Sequence, residues 1–230
     1  MPEGAGSVHP VGDSVVTAQF LRSLPSLAGP LPAFDPEAAP AEPDPLFARW
    51  LSEAVEAGVV EPHAMTLSTV DPAGRPSARV LILKHLEGGR WAFASGSGSR
   101  KGKELANTPW AALTFYWPLL GRQVRVRGAV EAAGADESAA DFLARSPGAR
   151  GAGLIGNQSE PLTDFAERDR VLDESTARAA ADPRLVAPEW TVYRVVADEV
   201  EFWQGEEHRR HIRLHYTRDA EGWARRLLWP

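Results

Sequence analysis

The chain has 230 residues, 43% hydrophobic and 24% charged, enough for one domain with a full core or one domain plus an arm. Its formal net charge of −6 argues against nucleic acid as the main partner, and the absence of cysteine excludes disulfides, thiolate metal sites and cysteine nucleophiles. No apolar run approaches the ~20 residues a membrane span needs, and no signal peptide is legible, so a cytoplasmic protein is expected.

Residues 1–43 are rich in Gly, Pro and Ala, punctuated by Pro30, Pro32, Pro36, Pro40 and Pro43, and read as a mobile arm. Within it, residues 15–24 have the pattern of a short helix stopped by Pro25. An ordered domain is expected over 44–230. It opens on a helix with Asp44 as N-cap and Pro45 at the first helical position. Leu46, Phe47, Trp50, Leu51, Ala54 and Val55 then recur at helical spacing, and Gly58 supplies the stop.

From residue 64 the period becomes that of a strand. Strands are expected over 64–70, over 77–84 after the Asp71-Pro72-Ala73-Gly74 turn, and over 91–95 after Glu87-Gly88-Gly89. A short helix over 101–107 ends before Pro109, and strands over 111–117 and 123–132 follow. In the second of these, Val124, Val126 and Gly128 alternate with Gln123, Arg125 and Arg127, so one face meets a core. A helix over 136–144, a glycine-rich loop over 148–156 and a long helix over 163–181 come next, with Thr163 near its cap. A long strand over 190–203, a turn or bulge at Gln204-Gly205 and a hairpin over 211–218 and 222–229 close the chain. The class is mostly β with α: antiparallel strands in a small barrel with peripheral helices.

Residues 79–101 carry the strongest local chemistry. Arg79 and Lys84 bracket an apolar strand, and the Gly96-Ser97-Gly98-Ser99 run delivers Arg100 and Lys101. Glycine admits close backbone approach, serine donates and the cations neutralise, so the pattern fits an anion site, or else a basic hairpin with a solvated turn. His63, His85 and His208 have no metal-ligand spacing. Glu206-Glu207, read as neighbours on a strand, would point to opposite faces.

Five motifs in order resemble the pyridoxamine 5′-phosphate oxidase family: RVLILK (79–84), SRKGKEL (99–105), RQV (122–124), NQSE (157–160) and EFWQGEEHRRHIR (201–213). The resemblance implies an antiparallel split β-barrel that binds FMN at a homodimer interface. It places Arg79, Val80, Leu81, Ile82, Leu83, Lys84, Ala94, Ser95, Arg100 and Lys101 around the flavin and its phosphate. Gln123 would contact the ring, Gln158 and Ser159 would come from the second subunit, and Trp203 and Arg213 would make further flavin contacts.

On the substrate side the resemblance is looser. Lys84 and Arg145 stand at two family phosphate-binding positions, while Asp141 replaces a Tyr and Ala149 a Ser. Arg209 and His211 match the pair over the substrate ring, with His211 the candidate for assisting proton removal. Features shared with phenazine-biosynthesis oxidases (PWA at 109–111, YW at 116–117) point to an FMN-dependent oxidase acting on a reduced nitrogen heterocycle or amine, with dioxygen as acceptor. The alternatives are an oxidase making pyridoxal 5′-phosphate, or a non-catalytic flavin- or haem-binding split barrel.

Overall fold

The computed structural model describes residues 16–230, so the N-terminal part of the expected arm lies outside the described residues. A short helix, α1 (Ala18–Ser23), is capped by Thr17, whose hydroxyl accepts from Phe20 N–H at 3.1 Å. The long helix α2 (Pro43–Glu56) then precedes nine strands that form one antiparallel sheet.

The strands are β1 (Ala64–Val70), β2 (Pro76–Ile82), β3 (His85–Glu87), β4 (Arg90–Gly96), β5 (Trp110–Trp117), β6 (Arg122–Ala132), β7 (Trp190–Gln204), β8 (Ile212–Asp219) and β9 (Gly222–Leu228). Their order is β2-β1-β5-β6-β7-β4-β3, with the β8–β9 hairpin added to the far half of β7. The sheet curls until its two edges meet at one end only. There Leu83 N–H donates to His63 O at 3.0 Å, and Lys84 N–H donates to Ala92 O at 2.8 Å, tying the exit of β2 to β4. This is the expected split barrel.

Inside the curl, alternate residues of each strand meet α2. Phe47 packs edge-on to Trp91 at 4.5 Å and against Phe115 at 4.9 Å, and Trp50 meets Phe202 at 5.2 Å. Such pairs contribute roughly 0.5–1.5 kcal/mol each beyond their buried area. Between strands sit α3 (Arg100–Asn107), a 3-10 turn at Pro118–Leu120, α4 (Ala135–Leu143), α5 (Pro147–Leu154) and α6 (Phe165–Ala181).

Four local expectations change. Helix α2 starts at Pro43, so Asp44 lies in its first turn instead of capping it. Its Oδ2 accepts Gly89 N–H at 2.8 Å and pins the β3–β4 turn, while burial raises its pKa. The glycine-rich stretch is mostly helix, because its glycines answer tertiary contacts. A Cβ on Gly151 would stand 2.7 Å from Thr176 Cα, where α5 crosses α6. Helix α6 is capped by Asp164, which accepts Ala166 N–H at 2.9 Å, and not by Thr163. Glu206 and Glu207 lie in the loop after β7, where Glu206 caps the N–H groups of His208 and Arg210.

The arm is not uniform either. Phe34 and Ala39 are buried in the core, Tyr216 Oη donates to Pro40 O at 2.8 Å, and Arg225 donates to Ala39 O. The segment leading into α2 is therefore anchored to the C-terminal hairpin.

Candidate active-site cleft

A cleft of about 680 Å³ runs between the edge of β2, β4, the end of α5 and the start of β7. One end is built by the turn from β4 into α3. Ser99 caps that helix, its Oγ accepting from Gly102 N–H at 3.2 Å and donating to Gly96 O at 2.7 Å. The cap folds the Gly/Ser run back and turns Lys101 inward. Its Nζ donates to Ser99 Oγ at 3.3 Å and to Gln158 Oε1 at 3.2 Å. Lys101 is 6% exposed, and burial, helped by the nearby Arg79, lowers its pKa although Glu104 opposes the shift. A buried cation facing two neutral oxygens is poised to take an anion.

Behind it, Glu104 on α3 gathers the remaining charges. It accepts from Thr69, from Ser77 at 2.7 Å, from Arg100 Nε at 2.9 Å and from Arg79 Nη2 at 3.3 Å. Burial pushes its carboxyl up, but these donors outweigh burial and hold its pKa at about 2. Arg79 is fixed further by Thr69 and by Ser77 Oγ at 2.6 Å. Within this hydrogen-bonded cluster three cations against one carboxylate sum to +2, while the exposed Glu189 carboxylate stands over Gly98 at the rim of the same end.

At the other end, Lys84 Nζ pairs with Asp141 Oδ1 at 2.6 Å, and Asp141 Oδ2 accepts Trp190 Nε1–H at 2.8 Å. Arg145 lies over the Trp190 ring, its guanidinium carbon 4.0 Å from the centroid. Gly153 of α5 makes room for it: a Cβ there would sit 2.9 Å from Arg145 Nη1 and 2.7 Å from the Phe142 ring. That Nη1 is buried and has no hydrogen-bond partner among the described residues. Burial lowers the Arg145 pKa, with Asp141 opposing. Here two cations against one carboxylate leave +1. Nearby Glu137 is committed to Arg194, and the exposed Glu189 carboxylate lies away from this pair, over Gly98 of the Gly/Ser run.

A second group forms elsewhere. Gln123, Trp203 and Arg213 are directly opposed across β6, β7 and β8, so all three point to one face of the sheet. Arg213 holds Glu201 through two bonds of 3.0 and 2.9 Å. The His211 ring lies 5.0 Å from that of Trp203, and its Nδ1 accepts Glu206 N–H at 3.0 Å. A ring nitrogen that accepts carries no proton, so the neutral imidazole keeps its proton on Nε2 and offers a donor there. In this arrangement the backbone occupies Nδ1, which leaves Nε2 as the ring nitrogen open to a ligand. Arg209 is exposed at φ +64°, a left-handed backbone that costs a bulky residue on the order of 1 kcal/mol. Trp190 and Trp203 are thirteen residue steps apart along β7, up to roughly 40 Å at ~3.3 Å per residue.

The expected site residues therefore fall into three sets. Val80, Leu81, Ile82, Lys84, Ala94, Ser95, Arg145 and Gln158 line the cleft; Lys101 and Asp141 bond to its lining residues, Arg79 stands behind them on Glu104, and the exposed Arg100 opens on an adjoining recess that shares Gln158. Gln123, Trp203, Arg209, His211 and Arg213 belong to the second group, which one chain does not bring to its own cleft. Leu83 and Ala149 do neither: Leu83 packs on the core, and Ala149 sits in the first turn of α5, off the cleft wall. Gln158 and Ser159, expected from a second subunit, lie against this chain's own residues. Gln158 Oε1 accepts from Ser95 Oγ at 3.3 Å as well as from Lys101, and Ser159 Oγ accepts Arg100 N–H at 3.3 Å. Three contributors escaped the sequence reading: Glu104, Gly153 and Trp190. Only Glu104 left a signal, its i,i+4 spacing from Arg100 on a helix.

Comparison with known proteins matches residues 51–168 to the sequence profile described as pyridoxamine 5′-phosphate oxidase. Residues 190–230 match the profile of the pyridoxine 5′-phosphate oxidase C-terminal dimerisation region. The chain is 43% identical over 192 residues to the pyridoxine/pyridoxamine 5′-phosphate oxidase of Rubrobacter xylanophilus, covering 83% of this chain and 88% of that one. It is 44% identical over 195 residues to the enzyme of the same name from Pseudomonas paraeruginosa, covering 84% and 90%. Among solved structures it resembles PhzG from Burkholderia lata 383 in complex with tetrahydrophenazine-1-carboxylic acid, at a TM-score of 0.82 and 32% identity, covering 88% of this chain and all of that one. A related FMN-binding protein from Nostoc punctiforme shares the fold at a TM-score of 0.68 and 20% identity.

Proposed function

Because the chain belongs to the pyridoxamine 5′-phosphate oxidase family, we propose that it is an FMN-dependent oxidase taking a hydride from a reduced nitrogen heterocycle or amine, with dioxygen as the final acceptor. The observation that carries the cofactor reading is the charge of the cleft's α3 end. A phosphate monoester brings a charge of roughly −1.5 to −2 near neutral pH, and the +2 cradle of Arg79, Arg100 and Lys101 against Glu104 complements it. The buried Lys101, with only neutral oxygens in reach, gains the partner it lacks. The residues present fit the group.

When bound, FMN supplies the two-electron acceptor for the reaction. The chain's own residues do the rest. Lys101, Arg79 and Arg100 hold the phosphate, and the exposed apolar edge of β2 at Val80 and Ile82 offers a dry surface for the ring. Lys84 and Arg145 hold the anionic group of the substrate. The Gln123–Trp203–Arg213 row, with Arg209 and His211, completes the site from a second copy, in keeping with the match of residues 190–230 to a dimerisation region. There His211 donates from Nε2 to orient the substrate ring.

Likeness to a structure holding tetrahydrophenazine-1-carboxylic acid supports a role in secondary metabolism, such as phenazine biosynthesis. A second reading, pyridoxine/pyridoxamine 5′-phosphate oxidase, is favoured by 43–44% identity to relatives of that name along most of their length. The test is direct. Purified protein should be yellow, carry FMN and consume oxygen with its substrate, and turnover of pyridoxine 5′-phosphate should be weaker than that of the reduced phenazine carboxylate. Efficient oxidation of the phosphorylated vitamer would establish the second reading instead.

A further inference from the structure

The Trp190 end of the cleft contains a carboxylate where an anion is to be bound, and its contacts say what that carboxylate does. Asp141 has both oxygens engaged, one by Lys84 Nζ at 2.6 Å and one by Trp190 Nε1 at 2.8 Å. The Lys84 charge is thereby countered before any ligand arrives. Arg145 makes no such pair. It lines the cleft, stacked on Trp190, with a buried Nη1 that has no partner among the described residues.

We propose that Asp141 sets the charge class of the substrate: by neutralising Lys84 it leaves Arg145 as the single net cation, and so selects a heterocyclic carboxylate over a phosphate monoester. The inference rests on the reading of this cleft end as the substrate's anion site, and it deepens that reading. A carboxylate brings one charge and two coplanar oxygens, which suit the edge of a guanidinium. A phosphate dianion brings about twice the charge and would lie near the Asp141 carboxylate, with only one net positive charge to meet it. Asp141 acts through Lys84 and Trp190, so it is a positioning residue and not a catalytic one. The neighbouring acids do not duplicate its effect: Glu137 is paired with Arg194, and the exposed Glu189 carboxylate stands over Gly98 at the α3 end.

The experiment uses FMN-loaded protein and two competitive probes, tetrahydrophenazine-1-carboxylic acid and pyridoxine 5′-phosphate, with dissociation constants measured under anaerobic conditions. The variants are Asp141→Asn, which can still accept from Trp190, and Asp141→Ser. Both remove the charge, so a packing defect peculiar to one side chain would not produce the same shift in both. Wild type should bind the carboxylate more tightly than the phosphate ester. Both variants should tighten the phosphate ester by about tenfold while moving the carboxylate by less than about threefold. If the FMN-loaded variants shift both probes equally, or neither, the role of Asp141 is wrong although the oxidase reading stands. A wild-type protein that takes up no FMN and binds neither probe would overturn both.

Discussion

The two ends of the cleft use the same kinds of side chain and arrive at different charges. Around Glu104 three cations converge, and every hydrogen bond that the carboxylate accepts comes from a rigid neighbour on β1, β2 or α3. Around Asp141 the partners come from the exit of β2 and the start of β7, and one cation, Arg145, is left outside the pairing. A carboxylate thus organises cations at one end and cancels one at the other. The α3 end suits a ligand of charge near −2 held the same way in every turnover. The Trp190 end suits a ligand of lower charge that enters and leaves.

The largest expected effect would break the α3 end. Glu104→Ala leaves Arg79 and Arg100 without their shared anion and should cost about 2–4 kcal/mol of stability, read as a lower Tm in the FMN-free protein. The sign with pH follows from the depressed pKa. The folded value of about 2 lies below the unfolded value near 4.5, so this contribution is fully present above the unfolded value and is lost as pH falls toward 2. Between those limits wild type should lose more Tm than Glu104→Gln, which has no proton to gain; parallel curves would contradict the assignment.

A smaller effect should appear at the Trp190 end. Gly153→Ala places a methyl against Phe142 and Arg145 Nη1, and overpacking of this kind costs roughly 1–3 kcal/mol. KM for the anionic substrate should rise about tenfold while FMN affinity stays within about threefold. A matching loss of FMN would show that the two ends are not separable.

How much of this was legible depended on whether the cause was local. The strands of the sheet follow from alternation and turn chemistry, and their expected bounds shift by at most two residues; only the short β3 was missed. Helix α5 did not follow, because Gly151 and Gly153 read as loop residues yet serve close approach by Thr176, Phe142 and Arg145. The anchored arm was hidden for the same reason, its contacts at Tyr216 and Arg225 lying at the other end of the chain. At the site, the cations could be named from their motifs, but the pairing of Lys84 with Asp141 could not. Lys84 and Asp141 are 57 residues apart in sequence, and only the fold shows that they meet.

The central claim is that the α3 end reads a phosphate through a buried lysine, and one titration tests it. FMN and riboflavin should be titrated into FMN-free wild type and into Lys101→Met, following flavin fluorescence. Charge-assisted contacts of about 1.5–3 kcal/mol each predict that wild type prefers FMN by at least about a hundredfold, and that Lys101→Met loses about ten- to a hundredfold toward FMN with riboflavin affinity little changed. Equal affinity of wild type for the two flavins, or a Lys101→Met variant that keeps the full preference, would contradict the account.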